Sequence, residues 1–157
     1  MLRKAANVTL ALVVLLVGTA VYAEIPDLEL SEASLATDGP LVLFVRPDGN
    51  GHMFNQAHLQ NGDIVDGTIT LTLVNYLGDP LEGYPAEDLW LETTGGGLVF
   101  PDGGTDADAP TNANGEAVWL QPLMAGGCTI GEGVDVMVGG QALNHDPLLL
   151  EFVSPDI

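Results

Sequence analysis

Gly67-Thr68-Ile69-Thr70-Leu71-Thr72-Leu73-Val74 alternates between aliphatic and threonine side chains from Thr68 to Leu73. A period of two puts Ile69, Leu71 and Leu73 on one face of a strand and the three threonines on the other, and β-branched residues favour that pleated backbone. The stretch predicts a half-buried strand with a threonine ladder on its outer face. Working outward, shorter runs of the same kind occupy residues 41–45, 88–93, 97–100, 116–121, 134–138 and 148–153, each bounded by turn formers. A weaker opening strand covers residues 28–35. No window from Glu24 onward sustains the 3.6-residue apolar period of an amphipathic helix. Seven or eight short strands predict an all-β fold, and within that class a two-sheet antiparallel sandwich, because a single sheet would leave an apolar face in water. Trp90 and Trp119, each inside a strand pattern, are expected to anchor its core.

The N-terminus carries a different signal. Arg3 and Lys4 precede the apolar residues 10–17, and Val21-Tyr22-Ala23 offers small residues at the two positions a signal peptidase reads. The expected organisation is a signal peptide over residues 1–23, cleaved after Ala23, and one sandwich domain over residues 24–157. An uncleaved anchor over residues 5–23 is the alternative; Asn7 and Thr9 interrupt it and Glu24-Ile25-Pro26 ends it. No cysteine stands at the junction to take a lipid, and no second long apolar run follows. The expectation is a secreted, extracellular or cell-surface protein without membrane insertion after cleavage.

Charge narrows the partners. The chain has 22 Asp and Glu against 3 Lys and Arg, and loss of residues 1–23 leaves Arg46 as the remaining strong cation. Nucleic acid and anionic lipid are poor partners for such a surface. A hydrophobic content of 46% supplies enough burial to exclude a disordered chain. The single cysteine, Cys128, can form no internal disulfide and is expected to be buried.

Two segments carry more than generic β signal. Leu77-Gly78-Asp79-Pro80-Leu81-Glu82-Gly83-Tyr84-Pro85 follows the threonine strand, and Thr111-Asn112-Ala113-Asn114-Gly115-Glu116-Ala117 precedes a later one. Gly78-Asp79-Pro80 reads as a chain reversal, and Asn114-Gly115 as the two positive-φ positions of a tight hairpin. In order and spacing the pair resembles the turns of bacterial Ig-like domains of the invasin and intimin type (Big-1), over residues 68–152. The wider pattern, with Phe44-Val45-Arg46-Pro47 early and Ser154-Pro155-Asp156-Ile157 last, is similar to secreted bacterial β-sandwich proteins. In those relatives the last segment leads into a dockerin-like tail of calcium-binding repeats; Ile157 ends this sequence, so the tail is absent or cut off and calcium docking is not carried over. The relatives also hold cysteines where Arg46 and Thr93 stand here, which leaves Cys128 without the partner that the resemblance implies.

Few residues suggest chemistry. Asp102, Asp106, Asp108, Asn112, Asn114 and Glu116 crowd one loop with oxygen donors. An EF-hand reading fails because its first ligand position would be Pro110. A looser calcium site from Asp106, Asp108 and one of Asn112 and Asn114 is the metal candidate, and a solvated acidic hairpin tip is the preferred reading of the same residues. His52, His58 and His145 lack the short spacing of a zinc pair. Ser31, Ser34 and Ser154 lack a nucleophile elbow, and among so many carboxylates no pair stands out as a glycosidase dyad. No catalytic residue is expected. The function expected from the resemblance is structural, adhesive or protein-binding, with an extracellular or surface protein as partner. The alternative is a carbohydrate-binding module of an extracellular polysaccharide-degrading system, with a glycan as ligand and Tyr84 as the residue to test. Self-association through residues 24–35, completing a neighbour's sheet, is a third expectation.

Overall fold

The computed structural model describes residues 25–44, 52–59, 61–93, 104–121, 133–143 and 146–153. Residues 1–23, expected as a signal peptide, the candidate strand 97–100, Arg46, Asp102, Cys128, His145 and Ser154 lie outside these residues.

The described residues form ten strands and two single-turn 3-10 helices, with no α-helix among them. The strands are β1 (Glu32–Leu35), β2 (Leu41–Phe44), β3 (Ala57–His58), β4 (Ile64–Val65), β5 (Ile69–Thr72), β6 (Leu89–Thr93), β7 (Glu116–Trp119), β8 (Val134–Val138), β9 (Gln141–Ala142) and β10 (Leu150–Val153). The 3-10 turns are Phe54–Gln56 and Ala86–Asp88. The fold is all-β.

The strands pair into four small sheets, two of three strands and two of two. In the first, β5 lies antiparallel between β1 and β7, with Ala33 opposite Leu71 and Ile69 opposite Trp119. In the second, β8 lies antiparallel between β6 and β9. That array continues on both sides. Asp106 bridges to Trp90 at the outer edge of β6, and Leu148 bridges to Val134 of β8 just before β10. β10 then runs parallel to β2, with Leu150 opposite Leu41, and β2 touches the small β3–β4 hairpin through Leu43 and Leu59.

The inward faces of the sheets meet in one buried cluster. Ile69, Leu71, Leu73, Ala117 and Trp119 come from the first; Leu89, Leu91, Val134, Val136 and Val138 from the second; Leu41, Leu43 and Leu150 from the β2–β10 pair, with Phe54 beside them. On β5 the burial alternates as its sequence dictates: Ile69 and Leu71 are buried, Thr70 and Thr72 half-buried. Trp119 is fully buried, and its indole N–H donates to the Thr105 carbonyl at 2.9 Å, so the ring enters the core without stranding its one polar atom. Trp90 departs from expectation. Leu89 and Leu91 take the inward positions of β6, which turns Trp90 to the opposite face, half-buried, where its N–H donates to Glu92 at 2.8 Å.

The strands are shorter than the sequence patterns that mark them, because the ends of those patterns enter turns. The opening strand starts at Glu32 and not at Leu28: Asp27 Oδ1 accepts the N–H groups of Glu29 and Leu30 at 3.0 and 3.1 Å and bends residues 28–30 into a turn.

Candidate functional site

The two turn segments singled out in the sequence share one geometry. Asn75 and Asn112 each open a three-residue hairpin loop. In each, the glycine N–H donates to the asparagine carbonyl, at 2.9 Å from Gly78 and 2.8 Å from Gly115. In each, the asparagine N–H donates across the loop at 2.9 Å, to Asp79 or to Glu116. Each asparagine Oδ1 also accepts two backbone N–H groups: Leu77 and Asp79 on Asn75 at 2.9 and 3.0 Å, Asn114 and Glu116 on Asn112 at 2.8 and 3.0 Å. Gly78 has φ +81° and Gly115 has φ +75°. This is a turn closed by a glycine bulge. It corrects the expectation for Asn114-Gly115. Among the described residues no non-glycine has positive φ, so Asn114 is not a left-handed position. The two-residue hairpin with both central φ values positive lies instead at Gly139-Gly140, with φ +55° and +88°, between β8 and β9.

Thr111 locks the two segments together. It is 3% exposed; its hydroxyl donates to the Leu81 carbonyl at 2.5 Å and accepts the Tyr84 N–H at 2.8 Å. Gly83 N–H donates to the Thr111 carbonyl at 2.8 Å, and Leu73 N–H to the Gly115 carbonyl at 2.8 Å. Tyr84 is half-buried with its phenol close to Gly139; burial first, and then the Asp88 carboxylate, push its pKa up from the ordinary 10.0.

The calcium candidates fall into separate local roles. Asp106 bridges to β6. Asp108 accepts Leu120 N–H at 2.7 Å and Gln121 N–H at 3.3 Å, at the far end of β7. Asn112 and Asn114 sit at the near end, where both side-chain amides donate to Glu116 Oε2, at 3.0 and 3.4 Å. The strand between the two groups spans roughly 13 Å at about 3.3 Å per residue. Calcium ligands converge at about 2.3–2.6 Å from one ion, which these anchor points do not approach. Among the described residues no group of three or more His, Cys, Asp or Glu side chains could hold a metal ion.

His52 and His58 are brought together, which their spacing did not suggest. Their rings stack with centroids 3.9 Å apart and planes at 21°. A chelated metal takes lone pairs that lie in the ring planes, and near-parallel stacked rings direct those lone pairs alongside each other.

A shallow, open concavity of about 730 Å³ lies between residues 25–29 on one side and Tyr76, Gln141 and Ala142 on the other. Its wall is fixed. Asp27 N–H donates to the Val74 carbonyl at 2.9 Å, the Ser31 hydroxyl donates to the Asp27 carbonyl at 2.7 Å, and Pro26 bridges to Asn75. Ile25 is 80% exposed, Tyr76 73% and Leu77 66%. The sequence signal for this place was an aromatic-aliphatic pair, Tyr76-Leu77, at a hairpin tip where polar residues are the rule; Ile25, Gln141 and Ala142 reach it only through the fold.

No family model matches the chain. Comparison with curated proteins and with solved structures finds no match either.

Proposed function

We propose that this chain is a non-catalytic secreted or cell-surface module with an Ig-like β-sandwich fold, acting in adhesion or protein interaction. Several observations support the fold. The sheets β1-β5-β7 and β6-β8-β9 and the smaller pair β2-β10 contribute to one core, as the facing layers of a sandwich do. The two turns that carry the resemblance also dock on each other through Thr111.

The observation that carries the function is the Tyr76-Leu77 tip, two large apolar side chains held in water on a rigid hairpin beside a concavity. Exposed apolar surface on a fixed frame is the usual mark of a contact site. Side chains that would otherwise suggest chemistry are engaged locally: Asp27, Asp66, Asn75, Asp108 and Asn112 all accept backbone N–H groups. The carbohydrate-binding alternative gains nothing from Trp119 or Tyr84, which are buried and half-buried.

Three measurements test the proposal. N-terminal sequencing of the protein from the culture medium should begin at Glu24; a chain that retains residues 1–23 and stays with the cells overturns secretion. Crosslinking on the cell surface should capture partners with the native protein and lose them with Tyr76→Ser/Leu77→Ser, whose circular dichroism stays native. Turnover of a glycoside, ester or peptide that one carboxylate substitution abolishes overturns the non-catalytic reading.

A further inference from the structure

We infer that the open edge of β1 pairs with β1 of a second copy of this chain, joining two β1-β5-β7 sheets into one across a twofold axis at Ser34. This surface is separate from the Tyr76-Leu77 tip and does not depend on it.

Three observations converge. The first is backbone left unpaired along one edge. The Ala36 N–H donates to the Thr68 carbonyl at 2.9 Å, and bonded residues alternate along an antiparallel pair. Ser34 and Glu32 therefore bond to Thr70 and Thr72, and the N–H and C=O groups of Ala33 and Leu35 point away from β5. Among the described residues those four groups have no partner. Other edges are covered. Outside β7 the Asp108 and Asn112 N–H groups donate to the Val118 and Glu116 carbonyls at 3.0 and 2.9 Å; outside β6 the Leu91 N–H donates to Thr105 at 3.1 Å and the Ala107 N–H to Leu89 at 2.8 Å. Proteins blunt an open edge with lysine, proline or a bulge; Glu32-Ala33-Ser34-Leu35 holds none of these.

The second is the fit of the strand to itself. Laid antiparallel with Ser34 on the axis, Ala33 faces Leu35 of the second copy, and four hydrogen bonds satisfy the outward groups of both copies. Glu32 then faces Ala36 of the second copy, so no carboxylate directly opposes another.

The third lies beneath that edge. The Ala33 and Leu35 side chains are half-buried and pack against the core. Ala33 also lines a narrow cleft with Val134, Val136, Leu143 and Leu148. Leu35 of the second copy, facing Ala33 on the same inner side, comes to lie over the mouth of this cleft.

The strand pairs in place. The Asp27 N–H donates to the Val74 carbonyl at 2.9 Å and the Val74 N–H to the Ser31 hydroxyl at 3.0 Å, so β1 gains a neighbour without leaving its own sheet. Charge sets the strength. Each copy carries 22 acidic against 3 basic residues, and so short an edge buries little area. The pairing is weak, and it tightens as salt screens the repulsion.

Sedimentation equilibrium of the purified protein over a range of concentrations should show monomer and dimer, with more dimer in high salt than in low. Ala33→Pro removes an N–H that bonds nothing in the single copy, a change that edge strands tolerate. It should weaken the dimer at least about tenfold, because two bonds are lost across the twofold. Ser34→Lys and Ser34→Asp, on the exposed outer face, should each weaken it. An equimolar mixture of the two should restore it, because opposite charges then meet at the axis. Tyr76→Ser/Leu77→Ser should leave it intact. A protein that is monomeric at every concentration and salt overturns the inference, as does a dimer that survives Ala33→Pro or dissociates with Tyr76→Ser/Leu77→Ser. If circular dichroism shows Ala33→Pro unfolded, the Ser34 mixture decides: failure to restore the dimer overturns the pairing.

Discussion

The hairpins at Asn75 and Asn112 have the same hydrogen bonds, the same asparagine and nearly the same glycine angle, yet the molecule uses them in opposite ways. Gly78 looks into open space: a Cβ built there would meet nothing within 4 Å. A Cβ on Gly115 would overlap the Leu73 carbonyl oxygen and come within 3.2 Å of the Leu81 nitrogen. Asn75 is buried at 4% exposure while Asn112 is exposed. The Asn75 hairpin therefore hides its hinge and presents its tip, Tyr76-Leu77. The Asn112 hairpin presents its polar hinge and tucks its glycine beneath the neighbouring strand. One local motif serves as a display in the first case and as a wedge in the second, and only the tertiary surroundings decide which.

The sharpest way to break that comparison is to add the same methyl to both. Gly115→Ala combines a left-handed alanine with a backbone collision and should destabilise the protein by at least about 3 kcal/mol. Gly78→Ala carries the backbone strain alone and should cost about 1 kcal/mol. Urea unfolding checks both; equal losses would mean that Gly115 is less confined than its neighbours imply. Next in size is Thr111→Val, which strands the Leu81 carbonyl and the Tyr84 N–H and should cost about 2 kcal/mol. If thermal melts show no change, the two segments are not held together by that hydroxyl. Asn75→Ala should cost about 2 kcal/mol and Asn112→Ala about 1, because water can replace the amide at the exposed turn but not at the buried one. A reversed order in denaturant midpoints would contradict the burial of Asn75.

Smaller effects distinguish the two regions by titration and by metal. The raised Tyr84 pKa means that the folded state favours the neutral phenol. Its contribution is fully present below pH 10, the ordinary tyrosine value, and is lost as pH rises beyond it. Tyr84→Phe should remove that alkaline dependence and leave the melt at pH 7 close to native; an unchanged alkaline slope would assign it elsewhere. Millimolar calcium should shift the melting temperature by less than about 1 °C, whereas an ion bound to the native state alone would raise it by mass action. A larger rise that Asn112→Ala abolishes would make the Asn112 hairpin a metal site.

What the sequence revealed and what it hid follow from the range of the forces involved. The threonine strand was legible because one face is buried and one wet, and a period of two writes that difference into consecutive residues. The location of the Asn112 hairpin was legible too. Its turn type was not, because the Asn112 side chain captures two N–H groups and lengthens the loop by one residue, leaving Gly115 as its positive-φ position. Trp90 was misassigned since the alternation Leu89-Trp90-Leu91 was read by residue type and not by parity. The candidate calcium set was close in sequence and separated in space because β7 runs between its halves. The concavity and the parallel pairing of β2 with β10 join segments distant along the chain, for which no local pattern exists; His52 and His58 are close in sequence, but their stacking across the Phe54–Gln56 turn follows neither a strand nor a helix period.

That last pairing has a mechanical meaning. β2 lies early in the described chain and β10 at its end, and they run in the same direction with Leu41 beside Leu150 and Phe44 beside Val153. Tension drawn from the start of β2 and the end of β10 would slide one strand along the other, so the bonds between them share the load together and do not open one after another. A pull applied across these two strands would therefore meet all of their backbone hydrogen bonds at once.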